Sequence, residues 1–264
     1  MYLLRGAPVV MYGDEVGMIG TGGDKEARQD MFPTQVKEWQ TQARVGSPPI
    51  GAGSSFDVVG NPVGEEVRAL GALRDRVAAL SVGSTIVRLA SGPLLAVSRI
   101  DRGARREYLA VFNNGATAAS ARIQTATPAT TWTSLFGAGG ATSDGAGKVA
   151  VTVPPISAVL LAATAQLPAR SAVAPKLIAG PDSLSALFAL TAPAKTLDPL
   201  SVTFAVRRGS GAWQRVAVDD SPPYRAFLEP AKFRRKERVQ VVALARSSSG
   251  AVTASAVVTA VPRL

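Results

Sequence analysis

Cysteine and histidine are both absent from the 264 residues. Without cysteine there is no disulfide framework and no thiolate chemistry, although its absence leaves the compartment open. Without histidine as well, a Ser-His-Asp or Cys-His arrangement is impossible. Zinc and copper lose the imidazole and thiolate ligands they want. Aromatic residues are scarce at 6%, and the 19 acidic residues are outnumbered by 29 basic ones. No apolar run approaches the roughly 18–20 residues of a membrane span, which predicts a soluble chain with no membrane partner. Met1-Tyr2-Leu3-Leu4-Arg5 has neither a basic n-region nor a long apolar core, so it does not read as a signal peptide.

What is present argues for folded domains. Hydrophobic residues make up 47%, the mean hydropathy is +0.17, and the length suits roughly two domains with cores of their own. The net charge of +10 is uneven: residues 1–82 carry eight basic and ten acidic groups, residues 83–171 eight and three, residues 172–264 thirteen and six. The densest basic run is Arg234-Arg235-Lys236 with Arg238. A nucleic-acid site wants such charge on one face with aromatics interleaved. Phe233 is the only aromatic beside that run, so the reading is a solvated basic surface with no nucleic-acid partner.

The most informative stretch runs from Arg5 to Phe32. Val9-Val10-Met11-Tyr12, set off by Pro8 and Gly13, has the pattern of a strand buried on both faces. Asp14 and Glu15 follow, then a glycine-rich loop with Asp24, Arg28, Asp30 and Met31. In α/β sheets, sites are built on loops beyond the C-terminal ends of strands. Gly20-Thr21-Gly22-Gly23-Asp24-Lys25 lacks the Gly-Lys-Ser/Thr ending of a phosphate loop. Asp14, Glu15, Asp24 and Asp30 offer oxygen ligands, but their spacing fits no calcium-loop template. No cofactor is therefore expected, and nothing here supports calcium.

The ordered series Arg5-Gly6-x-Pro8-Val9-Val10-x-Tyr12-Gly13-Asp14-Glu15-x-Gly17-Met18, then Asp24-x-x-x-Arg28-x-x-Met31, resembles the eighth barrel strand of the α-amylase family. The resemblance implies a (β/α)8 catalytic barrel and an α-retaining glycoside hydrolase acting on α-glucans, in a secreted or extracellular parent, where calcium stays open. In that family the nucleophilic Asp, acid/base Glu and stabilising Asp follow the fourth, fifth and seventh strands, whose motifs have no counterpart in this sequence. The chain alone is therefore expected to be inactive, with no catalytic residue of its own. Its barrel-rim residues Asp14, Glu15, Asp24, Arg28 and Trp39 are weak substrate-binding candidates. A retaining glycosidase needs two carboxylates about 5 Å apart. Asp14 and Glu15, as strand neighbours, would point to opposite faces, so shaping the rim or anchoring a loop is the reading for them. Trp39, before the Gly/Ser/Pro-rich loop 46–55, either borders the cleft or closes a small local core.

Asn61 as N-cap, Pro62 at the first helical position, and the stripe Val63, Val67, Leu70, Leu73, Val77 and Leu80 predict a helix over Asn61–Leu80. It reads as the scaffold helix that follows the last barrel strand. From Gly83 onward short β runs alternate with turns: Thr85–Leu89, Leu94–Arg99, Glu107–Phe112, Ala121–Gln124, Thr131–Leu135, Lys148–Val153 and Ala158–Ala162. That predicts an antiparallel sandwich, placed like the C-terminal β-sandwich of the α-amylase family. Trp132 belongs to its core or to a sugar-stacking platform. A Pro/Ala/Ser-rich linker follows, then Ser185–Leu190, Leu200–Arg207, Trp213–Val218, Tyr224–Leu228, Arg238–Ala245 and Ala254–Val261. This part resembles immunoglobulin-like or fibronectin-III-like modules.

The expected organisation is mainly β: a barrel remnant with the last strand and helix over 1–82, a β-sandwich over 83–165, a linker over 166–181, and an immunoglobulin-like domain over 182–264. The expected function is that of a C-terminal portion of an α-glucan-acting glycoside hydrolase. The alternative is a non-catalytic protein that binds polysaccharide or tethers a partner.

Overall fold

The computed structural model describes residues 1–263 except Thr21, Glu26, residues 52–55, residues 57–58 and Ala138. Part of the predicted loop 46–55 thus lies outside the described residues. The chain divides into two compact units, Met1–Ser81 and Val82–Leu264.

The first unit is mostly loop. It holds a short 3-10 helix at Asp14–Val16 and three helices, α1 (Lys37–Gln40), α2 (Pro62–Arg76) and the start of α3 (Ala78–Val82). The Asn61 carboxamide oxygen caps α2, accepting from Val63 N at 2.9 Å and Gly64 N at 3.3 Å. Its amide nitrogen donates to Val45 O (2.9 Å) and Ser47 Oγ (2.8 Å), which ties the loop to the helix start. The predicted stripe is buried only toward its end, at Leu73, Val77 and Leu80. Val77 closes α2 as its C-cap, so the single predicted helix is broken into two.

Val9–Tyr12 corrects an expectation. The segment belongs to no strand among the described residues, and Val9 (78%), Met11 (44%) and Tyr12 (51%) are exposed. A ladder hydrogen bond needs a neighbour, and among the described residues of this unit no other segment runs alongside as a strand.

The sixteen strands found among the described residues all lie in the second unit. The first eight are β1 (Ser84–Ser91), β2 (Leu94–Asp101), β3 (Arg106–Asn113), β4 (Ala119–Gln124), β5 (Thr131–Phe136), β6 (Ala141–Thr142), β7 (Lys148–Val153) and β8 (Ser157–Ala163). Six form a sheet in the order β1-β2-β3-β8-β5-β6, and β4 pairs with β7; all pairings are antiparallel. β7 alternates exposed and buried side chains at every position, so Val149, Val151 and Val153 meet Leu94, Leu109, Val111, Trp132 and Leu161 in one core.

The other eight are β9 (Ile178–Pro181), β10 (Phe188–Thr191), β11 (Ser201–Arg208), β12 (Gln214–Asp219), β13 (Arg225–Leu228), β14 (Val239–Arg246), β15 (Val252–Ala254) and β16 (Val258–Ala260). They build a three-stranded sheet, β13-β10-β9, and a five-stranded one, β12-β11-β14-β15 with β16 also on β14. Leu190, Leu200, Val202, Phe204 and Val241 fill the space between. The Tyr224 hydroxyl accepts from Leu200 N at 3.2 Å, and burial raises that phenol above its ordinary range.

Two differences from the sequence reading are local. The end of the stretch read as linker, Ile178–Pro181, is β9, paired with β10, and Leu167 is buried with Ile86, Ile100 and Ala126. The predicted strand Ala254–Val261 is two short ones, because Ser255 between them turns its Oγ back to Ala243 N (3.0 Å). The two sandwiches also meet through polar contacts. Arg102 donates to the carbonyls of Pro199 (2.7 Å) and Arg246 (3.2 Å), and Ser249 Oγ donates to Arg170 O (2.7 Å). Burial holds the Arg102 guanidinium below its ordinary range, opposed by Asp220, Tyr224 and Asp198.

Candidate functional site

The rim candidates sit on the irregular first unit, and hydrogen bonds to the backbone give that unit its form. Gly13 and Gly17 bracket the 3-10 turn in left-handed conformation, at φ 97° and 74°. Asp14 and Glu15 therefore lie in that turn and not at the end of a strand as expected. The Glu15 carboxylate folds back to accept from Gly13 N at 2.9 Å, while Asp14 is exposed. Glu15 thus anchors its own turn, and Asp14 is the carboxylate left to solvent.

Gly17 is where the turn meets the second loop. Val45 N donates to Gly17 O at 2.7 Å, and a Cβ on Gly17 would overlap the Val45 carbonyl. The left-handed backbone adds a steric cost for any L side chain. Gly17→Ala is therefore expected to destabilise this loop pair by at least about 1 kcal/mol from backbone strain alone. Hydrogen exchange at the Val45 amide checks it: protection falls in the variant, and unchanged protection would refute the packing argument.

Asp24 and Arg28 form an exposed bidentate pair, Arg28 Nη2 to Asp24 Oδ2 at 2.8 Å and Nε to Oδ1 at 3.2 Å. An exposed pair of this kind contributes little stability. Trp39 is half-buried in α1. Among the described residues, no hydrogen bond or ion pair joins Asp14 or Glu15 to Asp24, Arg28 or Trp39. The five candidates lie along one irregular segment, and among the described residues the Asp24–Arg28 pair is the one hydrogen bond or ion pair that links two of them. Among the described residues there is also no group of three or more carboxylates that could hold a metal ion, and no helix is long and apolar enough to cross a membrane.

One residue that holds the unit together escaped the sequence reading. Arg74 is buried, and its guanidinium donates to the carbonyls of Tyr2 (2.7 Å), Leu4 (3.0 Å) and Gly6 (2.5 Å). By its place in the last turn of α2 it reads as a cation complementing the helix dipole. The missed signal is its spacing: Arg74 is four residues beyond Leu70 and so lies in the apolar stripe. A cation there needs buried acceptors, and the N-terminal backbone supplies them.

The two tryptophans of the β unit are settled by burial. Trp132 is fully buried in the first sandwich, which leaves it no surface for a sugar. Trp213 is 38% exposed, with the Arg207 guanidinium 4.7 Å from its ring centroid.

An α-amylase of Streptomyces lividans is 34% identical to this chain over 229 residues, which cover 85% of this chain and 25% of the relative. The chain is α-amylase-family sequence, and the resemblance carried by residues 5–31 extends into its β domains. The family is one of glycoside hydrolases of carbohydrate metabolism, and the chain spans about a quarter of the curated relative's length. An α-amylase from Geobacillus thermoleovorans, solved in complex with acarbose, is 14% identical with a TM-score of 0.47, covering 62% of this chain and 31% of the other. A Nostoc punctiforme debranching enzyme is 22% identical with a TM-score of 0.41, covering 61% and 29%. No protein-family model matches the chain.

Proposed function

We propose that this chain is the non-catalytic C-terminal portion of an α-glucan-acting glycoside hydrolase, supplying a barrel strand, rim loop and helix together with two β domains. The observation that carries this reading is the exposure of Val9–Tyr12, an apolar run with the residue pattern of a doubly buried strand that lies open to solvent. In a barrel, flanking strands would pair its backbone groups, and the barrel interior on one face and the outer helices on the other would cover Val9, Met11 and Tyr12. The identity to the Streptomyces lividans α-amylase, confined to a quarter of that protein, supports the same reading.

Within such a barrel the chain's own residues would shape and hold the rim. Glu15 fixes the turn after the strand, Gly17 and Val45 close it onto the second loop, and Asn61 ties that loop to α2. Asp14, Asp24, Arg28 and Trp39 would be the side chains nearest a bound α-glucan. Cleavage needs a carboxylate pair straddling the scissile bond, and the histidine-containing motif of the seventh strand has no counterpart in a chain without histidine.

Purified 1–264 is therefore expected not to turn over a chromogenic α-glucan, and measurable turnover would overturn the proposal. Co-sedimentation with insoluble starch tests the alternative of a non-catalytic polysaccharide-binding protein. With Trp132 buried and Trp213 partly covered by Arg207, the chain is expected to stay in the supernatant.

A further inference from the structure

The β11–β12 hairpin and the segment after β13 enclose a depression of about 460 Å³, lined by Val206, Arg207, Arg208, Gln214, Lys232 and Phe233. That volume is within the range of ligand sites. Its polar side is cationic. The Arg207 guanidinium lies 4.7 Å from the Trp213 ring centroid and the Arg208 guanidinium 4.9 Å from that of Phe233. Stacking holds each planar fork against a ring and limits its freedom.

Arg207 Nε donates to Gln240 Oε1, and among the described residues no carboxylate lies within ion-pair distance of Arg207. Arg208 is steadied by Glu237 at 3.0 Å and by the Lys232 carbonyl at 2.8 Å. Lys232 pairs at the surface with Glu229 at 2.9 Å. Exposed Arg234, Arg235 and Lys236 continue directly from Phe233. The basic run that the sequence left with one aromatic neighbour therefore gains a second aromatic and two more arginines from a hairpin some twenty residues earlier in the chain.

We propose that this depression binds acidic polysaccharide, through the carboxylate or sulfate groups of its sugars, a role separate from the barrel reading. The Nη1–Nη2 edge of Arg207 can meet such an oxyanion with paired, charge-assisted hydrogen bonds, while Arg208, whose Nε and Nη2 are engaged by Glu237 and the Lys232 carbonyl, forms the adjoining wall. Gln214 and Lys232, also in the lining, bring hydrogen-bonding groups that sugar hydroxyls can use. The arrangement suits nucleic acid less well. Single strands are held by a series of open rings on which successive bases stack, whereas the two rings here each carry an arginine on one face.

The test uses the full chain in isothermal titration at low salt with polygalacturonate, dextran sulfate, neutral dextran and an oligo-dT strand. Binding is expected to at least one of the two acidic polymers, the one that binds identifying the anion, and not to neutral dextran. R207Q/R208Q is expected to weaken that binding about tenfold or more, equivalent to about 1.4 kcal/mol. R122Q/K148Q, which removes the same charge from the first sandwich, is expected to change it less than about twofold. R207K keeps the charge and the apolar stem, so it tests the planar fork in a chain that still folds, with an expected loss of about threefold or more. Silence toward both acidic polymers would overturn the proposal, as would equal binding of neutral dextran. Equal losses in the two double variants would reduce the effect to net charge. Tighter binding of oligo-dT through Arg207 and Arg208 would make the site one for nucleic acid.

Discussion

Truncating Glu107 to alanine is expected to cost the Val82–Leu264 unit about 3–5 kcal/mol, read as a lower midpoint in denaturant. Glu107 is completely buried, and its carboxylate is fully used. Oε1 accepts from Arg88 Nη2 at 2.9 Å and Ser98 Oγ at 2.5 Å; Oε2 accepts from Ala126 N at 2.9 Å and Thr127 Oγ1 at 2.8 Å. A buried glutamate in a carbohydrase-related chain invites a catalytic reading, but every direction around this one is occupied by a protein donor. It joins β1, β2 and β3 to the segment after β4. The truncation leaves Arg88, itself only 6% exposed at the side chain, as a buried charge without its counter-ion. The double variant R88A/E107A is therefore expected to lose less than the sum of the single variants, because the second truncation removes that stranded charge. Additive losses would show that the pair does not act as a unit.

Trp132→Ala is expected to destabilise the same unit by about 3–5 kcal/mol, measured by circular dichroism through a denaturant titration. The indole is fully buried among the β4–β7 pair and the six-stranded sheet, so its removal leaves a cavity that the surrounding valines and leucines cannot fill. Trp132→Phe is expected to cost clearly less. Phenylalanine keeps most of the volume, and it removes an indole N–H that has no hydrogen-bond partner. A Trp132→Ala variant as stable as the parent chain would contradict the core assignment.

Much of the β architecture was legible because its periods are physical constraints. Lys148–Val153 alternates strictly, and a strand with one buried face must do so; its bounds were read from the sequence without change. Asn61 and Pro62 marked the start of α2 because an amide oxygen and a missing N–H solve the problem of unpaired donors locally. The family relationship, too, was carried by an ordered run of residues that needs no fold to be recognised.

What the sequence could not decide was anything that depends on which segments become neighbours. Val9–Tyr12 has the composition of a buried strand, yet burial is a property of the surroundings, and among the described residues of 1–81 there is no partner strand. Arg74 reads as a surface cation until three N-terminal carbonyls are folded over it. Ile178–Pro181 looks like linker because its pairing partner, Phe188–Thr191, is hidden beyond a turn. The cationic depression draws on β11, β12 and the segment after β13, whose distances along the chain conceal their proximity in space. Local propensities and periods are set by each residue's own backbone and side chain. Exposure, ion pairing and the convergence of a site are set by long-range packing, and only the tertiary structure supplies that.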